Sequence, residues 1–200
     1  MQVFWNTLSL LGDCRLLLPL AAVLICVGAQ QRQAWAHRWC LALITAGLLS
    51  LTTKIAFLGW GVGIARLDFT GLSGHAVMAA AVWPTVFQLA APDRRTAPWA
   101  MVAGLLLASI IAYSRLPLNA HSWSEVIGGW FVGAAASMCT SSALRHSSQR
   151  LHTWVMLLGL AVGFCIPLAF PRIHTHEIVV QLAKTLARSE REFNRSSLGR

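Results

Sequence analysis

About six apolar stretches, roughly 16–29, 39–60, 75–90, 99–113, 123–144 and 154–170, follow one another along this chain. A hydrocarbon layer of about 30 Å asks for about 20 apolar residues per helix, so each stretch is of spanning or near-spanning length. The shorter ones, 16–29, 75–90 and 99–113, would recruit flanking polar residues or tilt little. In lipid a backbone must satisfy its own hydrogen bonds, which leaves helices or closed barrels, and no alternating ten-residue pattern suggests a barrel. The expected fold is therefore all-α: a polytopic membrane helical bundle with about six transmembrane helices. Composition agrees, since 56% of residues are hydrophobic and only 12% charged, against about 25% charged in soluble domains. With no internal repeat or long linker, residues 1–200 read as one domain.

Tryptophans stand near the ends of these stretches (Trp35, Trp39, Trp60, Trp99, Trp123, Trp154), where the ring is expected at headgroup level, while Trp83 and Trp130 read as packing. The opening segment MQVFWNTLSLLGD lacks the cationic start of a secretory leader, so no cleavage is expected. Cys14, Cys26, Cys40, Cys139 and Cys165 show no paired spacing and read as small apolar residues. A net charge of +9 is spread over loops and a tail with no nucleic-acid-binding module, so the expected anionic partner is the lipid bilayer and not nucleic acid. Arg32, Arg38, Arg94, Arg95, Arg145 and Arg150 fall in connections on one side, and only Arg66 and Arg115 in the internal loops on the other. The positive-inside rule turns the second side outward, toward the periplasm if the membrane is a bacterial inner membrane. The tail, 172–200, sets Ile178, Val179, Leu182, Ala183 and Leu186 at helical spacing among basic residues, as a surface-bound helix or a solvated end would.

Polar chemistry gathers on that outward side. Lys54 precedes the first outer loop, Arg66 lies in it, and Ser73-Gly74-His75 opens the third apolar stretch. The second outer loop reads S-R-L-P-L-N-A-H-S-W-S-E from Ser114 to Glu125. Ionisable groups at membrane depth must be offset by a partner or a substrate, which makes them functional candidates. Lys54, Arg66 and Arg115 suit phosphate oxygens, with the guanidinium forks matching their geometry. Gly74 lets a ligand approach the first turn of a helix, whose free N–H groups bind anions, and Ser73 adds a hydroxyl. Glu125, four residues after His121, shares a helical face with it and can hold the Nδ1 proton, leaving Nε2 as a nucleophile. His75 is the candidate general acid and base.

These residues resemble the type 2 phosphatidic acid phosphatase superfamily, whose members share a helical core with vanadium haloperoxidases. The family's third motif is Ser-Arg, five residues, His, three residues, Asp; both spacings are kept here, with Glu125 in place of Asp. Its second, Pro-Ser-Gly-His, appears as L-S-G-H with Leu72 replacing proline, and its first, Lys, six residues, Arg-Pro, is loosened to Lys54 and Arg66 with Leu67 following. The resemblance covers roughly residues 40–145. It implies His121 as a nucleophile forming a phosphohistidine, His75 as acid on the leaving group, a cradle of Lys54, Ser73, Gly74 and Arg115, and no metal or other cofactor.

The expected function is hydrolysis of a membrane lipid phosphate or diphosphate. Undecaprenyl diphosphate, phosphatidic acid, phosphatidylglycerol phosphate and lipid A phosphate exemplify the class. A lipid-to-lipid phosphotransferase would use the same residues. A haem-binding bundle ranks lower, because the histidines stand at helix mouths beside cations, and a non-catalytic bundle in which Lys54 and Arg115 bind an anion would be told apart by its lack of phosphatase activity. His37, His146 and His152 read as interfacial, and His174-Thr175-His176-Glu177 is too short for a metal site. Asp68 is expected to orient Arg66, and Asp13 to pair with Arg15.

Overall fold

The computed structural model describes residues 1–145, 153–169, 175–189 and 193–198, and among these the chain is helical apart from turns, 3-10 turns and one isolated bridge between Ile64 and Phe69. The helices are α1 (Gln2–Leu10), α2 (Cys14–Gln30), α3 (Ala34–Trp60), α4 (Gly74–Ala90), α5 (Ala97–Tyr113), α6 (Trp123–Leu144), α7 (Thr153–Ala169) and α8 (Thr175–Ala187). Helices α2 to α7 match the expected apolar stretches. By length and apolarity, three helical segments can cross a membrane: Gln2–Gln30, α3 and α6. Helix α5 and the Thr153–Cys165 part of α7 are apolar but shorter.

Helix α4 is the axis of the bundle. It is apolar all round, with Ala76 to Val86, Gln88 and Leu89 buried, as a helix surrounded by others must be. Helices α2, α3, α5 and α6 pack around it. Helix α6 approaches it closely where Gly129 and Gly133, one turn apart, face the backbone of Ser73 and Val77. A Cβ added at Gly133 would stand 2.2 Å from Val77 O, inside any tolerable contact. Gly133→Val should therefore separate α4 from α6 and cost about 2 kcal/mol or more, read as a fall in Tm of the purified protein. An unchanged Tm would refute this packing.

Two features of the fold go beyond apolar length. Trp35 and Trp39 are fully buried within the bundle, their rings 6.2 Å apart, with Trp39 Nε1 donating to Ala81 O at 3.1 Å. Being four residues apart they share a helical face, and that face of α3 looks inward; Gly28 of α2 makes room for Trp35. Trp60, Trp99, Trp123 and Trp154 are exposed, as an interfacial belt would be. The tail helix α8 is likewise not free: Ala183 is buried, and its carbonyl lies 3.2 Å from where a Cβ of Gly59 would be, so α8 docks on the end of α3. Its Ile178, Leu182 and Leu186 remain exposed. Of the tail's basic residues, Arg172, Arg191 and Arg200 lie outside the described residues, as do Arg150, His146, His152 and His174.

None of the five cysteines is in a disulfide. Asp13 caps α2 and binds Arg15 as expected, accepting from its backbone N–H at 2.9 Å and from Nη2 at 2.7 Å.

Candidate active site

The site is built where four helix ends meet: the last turns of α3 and α5 and the first turns of α4 and α6. Arg32, Arg38, Arg94, Arg95 and Arg145 lie at or beyond the opposite ends of these helices, and Arg38 Nη1 ties α3 to α6 there by donating to Ser142 Oγ at 3.3 Å.

Local chemistry sets the start of α6. Ser122 is its N-cap and forms a reciprocal capping box with Glu125, whose Oε2 accepts from Ser122 N at 3.1 Å. The same oxygen meets His121 Nδ1 at 2.7 Å. Glu125 is fully buried, and its other oxygen accepts from Thr70 N at 2.7 Å and from the Thr70 hydroxyl. Every partner of this carboxyl can donate to it, which is the environment of a carboxylate. An anion at Oε2 fixes the proton of His121 on Nδ1 and leaves the lone pair on Nε2. Burial holds the His121 imidazole below its ordinary histidine value, Lys54 and Arg115 push the same way, and the Glu125 hydrogen bond opposes them. The ring is thus neutral near pH 7, as a nucleophile requires.

The second wall is the start of α4. Ser73 is its N-cap, completely buried, and its backbone N–H donates to Glu125 O at 3.1 Å, so the first turns of α4 and α6 are pinned together. Leu72, standing where the family pattern has proline, donates its N–H to Thr53 Oγ1 at 3.1 Å and buries its side chain. Proline has no N–H to give, so leucine replaces a rigid ring by a hydrogen bond to α3. At Gly74 a Cβ would come 3.8 Å from Lys54 Nζ and 3.9 Å from Ser50 Oγ. The Lys54 ammonium is therefore beside the first turn of α4.

His75 follows on α4 and is close to the turn between α1 and α2, where a Cβ at Gly12 would lie 3.3 Å from the His75 Cβ. Its ring lies within electrostatic reach of Arg115, Asp13, Lys54 and His121. Arg115, in the turn after α5, donates Nη1 to Ser9 Oγ of α1, while its buried Nε has no partner. The buried Ser73 Oγ has none either. Two orphaned buried polar atoms, a lysine and a helix N-terminus thus border the two histidines.

The structure brings Lys54, Ser73, Gly74, His75, Arg115, His121 and Glu125 to this one end of the bundle. Arg66 is exposed on the 3-10 turn Ala65–Leu67 of the loop after α3. Asp68 does not hold Arg66 but accepts from Arg195. Arg195 also donates Nη2 to Glu125 Oε2 at 2.8 Å. Sequence reasoning missed Arg195, Thr70 and Ser9 as members of the site, since each arrives from a distant segment and none belongs to a motif. Among the described residues no group of three His, Cys, Asp or Glu is placed to hold a metal ion; His174 falls outside them, and the side chain of His176 is not described.

Comparison with known proteins bears directly on this cluster. The model of the family described as PAP2 superfamily matches residues 62–149, which take in Ser73–His75 and Ser114–Glu125 but not Lys54. A Klebsiella pneumoniae protein described as "Uncharacterized 22.5 kDa protein in cps region" is 33% identical over 204 residues, covering 97% of each chain. No solved structure matches. Motif-bearing helix mouths inside the matched region, on an all-α scaffold with helices able to cross a membrane, make this chain a member of the PAP2 superfamily, with a function of the phosphatase type.

Proposed function

We propose that the protein hydrolyses a lipid phosphate or diphosphate through a phosphohistidine on His121. The observation that carries this is the pairing of the Glu125-bound His121 with a cationic pocket whose buried Ser73 Oγ and Arg115 Nε have no partner within the protein. A phosphoryl group offers acceptor oxygens to those atoms, to Lys54 and to the N–H groups of the first turn of α4. His121 Nε2 attacks phosphorus; a P–N bond forms, the P–O bond to the leaving group breaks, and His75 gives that oxygen a proton. Water then attacks the phosphohistidine, His75 takes the water's proton, and phosphate leaves with His121 restored. The cations act by stabilising the charge that builds on the equatorial oxygens.

Two observations favour a lipid as the rest of the substrate. Helix ends beside the site carry exposed Trp60, Tyr113 and Trp123, and the loop after α3 exposes Val62, Ile64 and Leu67. Apolar and aromatic side chains around a polar pocket fit a headgroup-level mouth, with the substrate's chain left in the bilayer. The arginine-bearing ends of the same helices orient the mouth away from the cytoplasm by the positive-inside rule.

The test is phosphate release by protein in sealed vesicles of known orientation. The substrates are undecaprenyl diphosphate, phosphatidic acid, phosphatidylglycerol phosphate and lipid A phosphate, added outside, with and without a lipid alcohol as acceptor. At least one should be hydrolysed from the site-bearing face. Release that depends on the acceptor would make the protein a phosphotransferase, and none from any substrate would overturn the reading.

A further inference from the structure

Glu125 is engaged by a cation that lies outside all three motifs. Arg195, in the 3-10 turn Arg195–Ser197, bridges two carboxylates: Nη2 donates to Glu125 Oε2 at 2.8 Å, and Nη1 donates to the Asp68 carboxylate and, at 3.0 Å, to Asp68 O. The chain on either side is anchored to the end of α3 and the loop after it. Phe193 N donates to Leu58 O at 3.0 Å, and its ring would lie 2.8 Å from a Cβ at Gly61. On the far side, Leu198 Cδ1 would lie 2.6 Å from a Cβ at Gly63.

We propose that Arg195 is a positioning residue of the active site: it holds Oε2 of Glu125 and thereby sets the orientation and basicity of His121, with residues 193–198 forming the clamp that delivers it. This deepens the reading of His121 as nucleophile and rests on it. Oε2 is shared by three donors, His121 Nδ1, Ser122 N and Arg195 Nη2, so Arg195 takes part of the charge that would otherwise fall on the imidazole. Other charged or titratable groups around the pair are Lys54 from α3, His75 from α4, Arg115 from the turn after α5, Asp13 from the turn before α2, and Asp68 beyond Arg195. All of these persist when Arg195 is neutralised. The sign follows: without the cation, Glu125 binds the imidazolium more strongly and His121 becomes easier to protonate.

The test compares wild type with Arg195→Gln and Arg195→Lys in detergent. Histidine 15N NMR titration should show the His121 pKa rising by about half a unit or more in Arg195→Gln. The acid limb of kcat/KM should move up by the same amount, and kcat should fall several-fold with KM little changed. Arg195→Lys, which keeps the charge but not the fork, should restore the limb and only part of kcat. An NMR titration identical to wild type in Arg195→Gln, whatever the Tm, overturns the proposal. The NMR readout needs no turnover, so a wild type that releases no phosphate would sink the proposed reaction while still deciding whether Arg195 sets the basicity of His121.

Discussion

His121→Ala should release no phosphate above background, a loss of about 10⁴-fold or more, because it removes the atom that forms the covalent bond and no second nucleophile stands in its place. The protein should still fold. His121 contributes one of several hydrogen bonds to Glu125, and Ser122 N, both donors of Thr70 and Arg195 remain to satisfy the buried carboxylate. The expected cost in stability is about 1 kcal/mol, visible as a small shift in Tm. The loss should extend to every substrate, including an activated aryl phosphate, since an activated leaving group helps only if something attacks. Turnover of lipid phosphate by folded His121→Ala at a rate near wild type would exclude the phosphohistidine route.

His75→Ala carries the second largest effect, with a different signature. A general acid typically contributes about 10²- to 10⁴-fold, and its contribution scales with how badly the leaving oxygen needs a proton. An alkoxide leaving from a lipid monophosphate needs one, whereas a p-nitrophenolate does not. His75→Ala should therefore lose lipid phosphate hydrolysis almost completely and retain a measurable part of p-nitrophenyl phosphate cleavage, at least as formation of the phosphoenzyme. Equal loss on both substrates would show that His75 acts elsewhere than on the leaving group. The two variants together separate attack from departure, which neither does alone.

The local setting of these two histidines was legible in the sequence because it is made within one or two turns of chain. His121 and Glu125 are four residues apart, and Ser122 with Glu125 writes a capping box, so one turn of helix both starts α6 and orients the imidazole. Ser73-Gly74-His75 reads the same way: a capping residue, an open backbone and a side chain in the first turn of α4. The helical spans were legible through apolar length, and matching α2 to α7 to them needed no knowledge of partners. Spacing alone did not show that Arg66 faces solvent or that Trp35 and Trp39 turn inward. In both cases the deciding quantity was which side of a segment meets a neighbour, and apolar length is blind to that.

By itself, the sequence determined that this chain folds as an all-α bundle, roughly where its apolar helices run, and how His121 and Glu125 sit at the start of α6, since these follow from backbone hydrogen bonding in lipid, from capping and from the spacing of one helical turn. Only the tertiary structure decided what completes the site. Ser9 reaches Arg115 across 106 positions, Thr70 reaches Glu125 across 55, and Arg195 reaches it across 70. Those contacts depend on how closely α4 and α6 can approach at Gly129 and Gly133, and on α8 finding Gly59 to dock against. Packing between segments far apart in the chain is set by shape and burial over the whole bundle, and no local pattern around Arg195 encodes the carboxylate it meets.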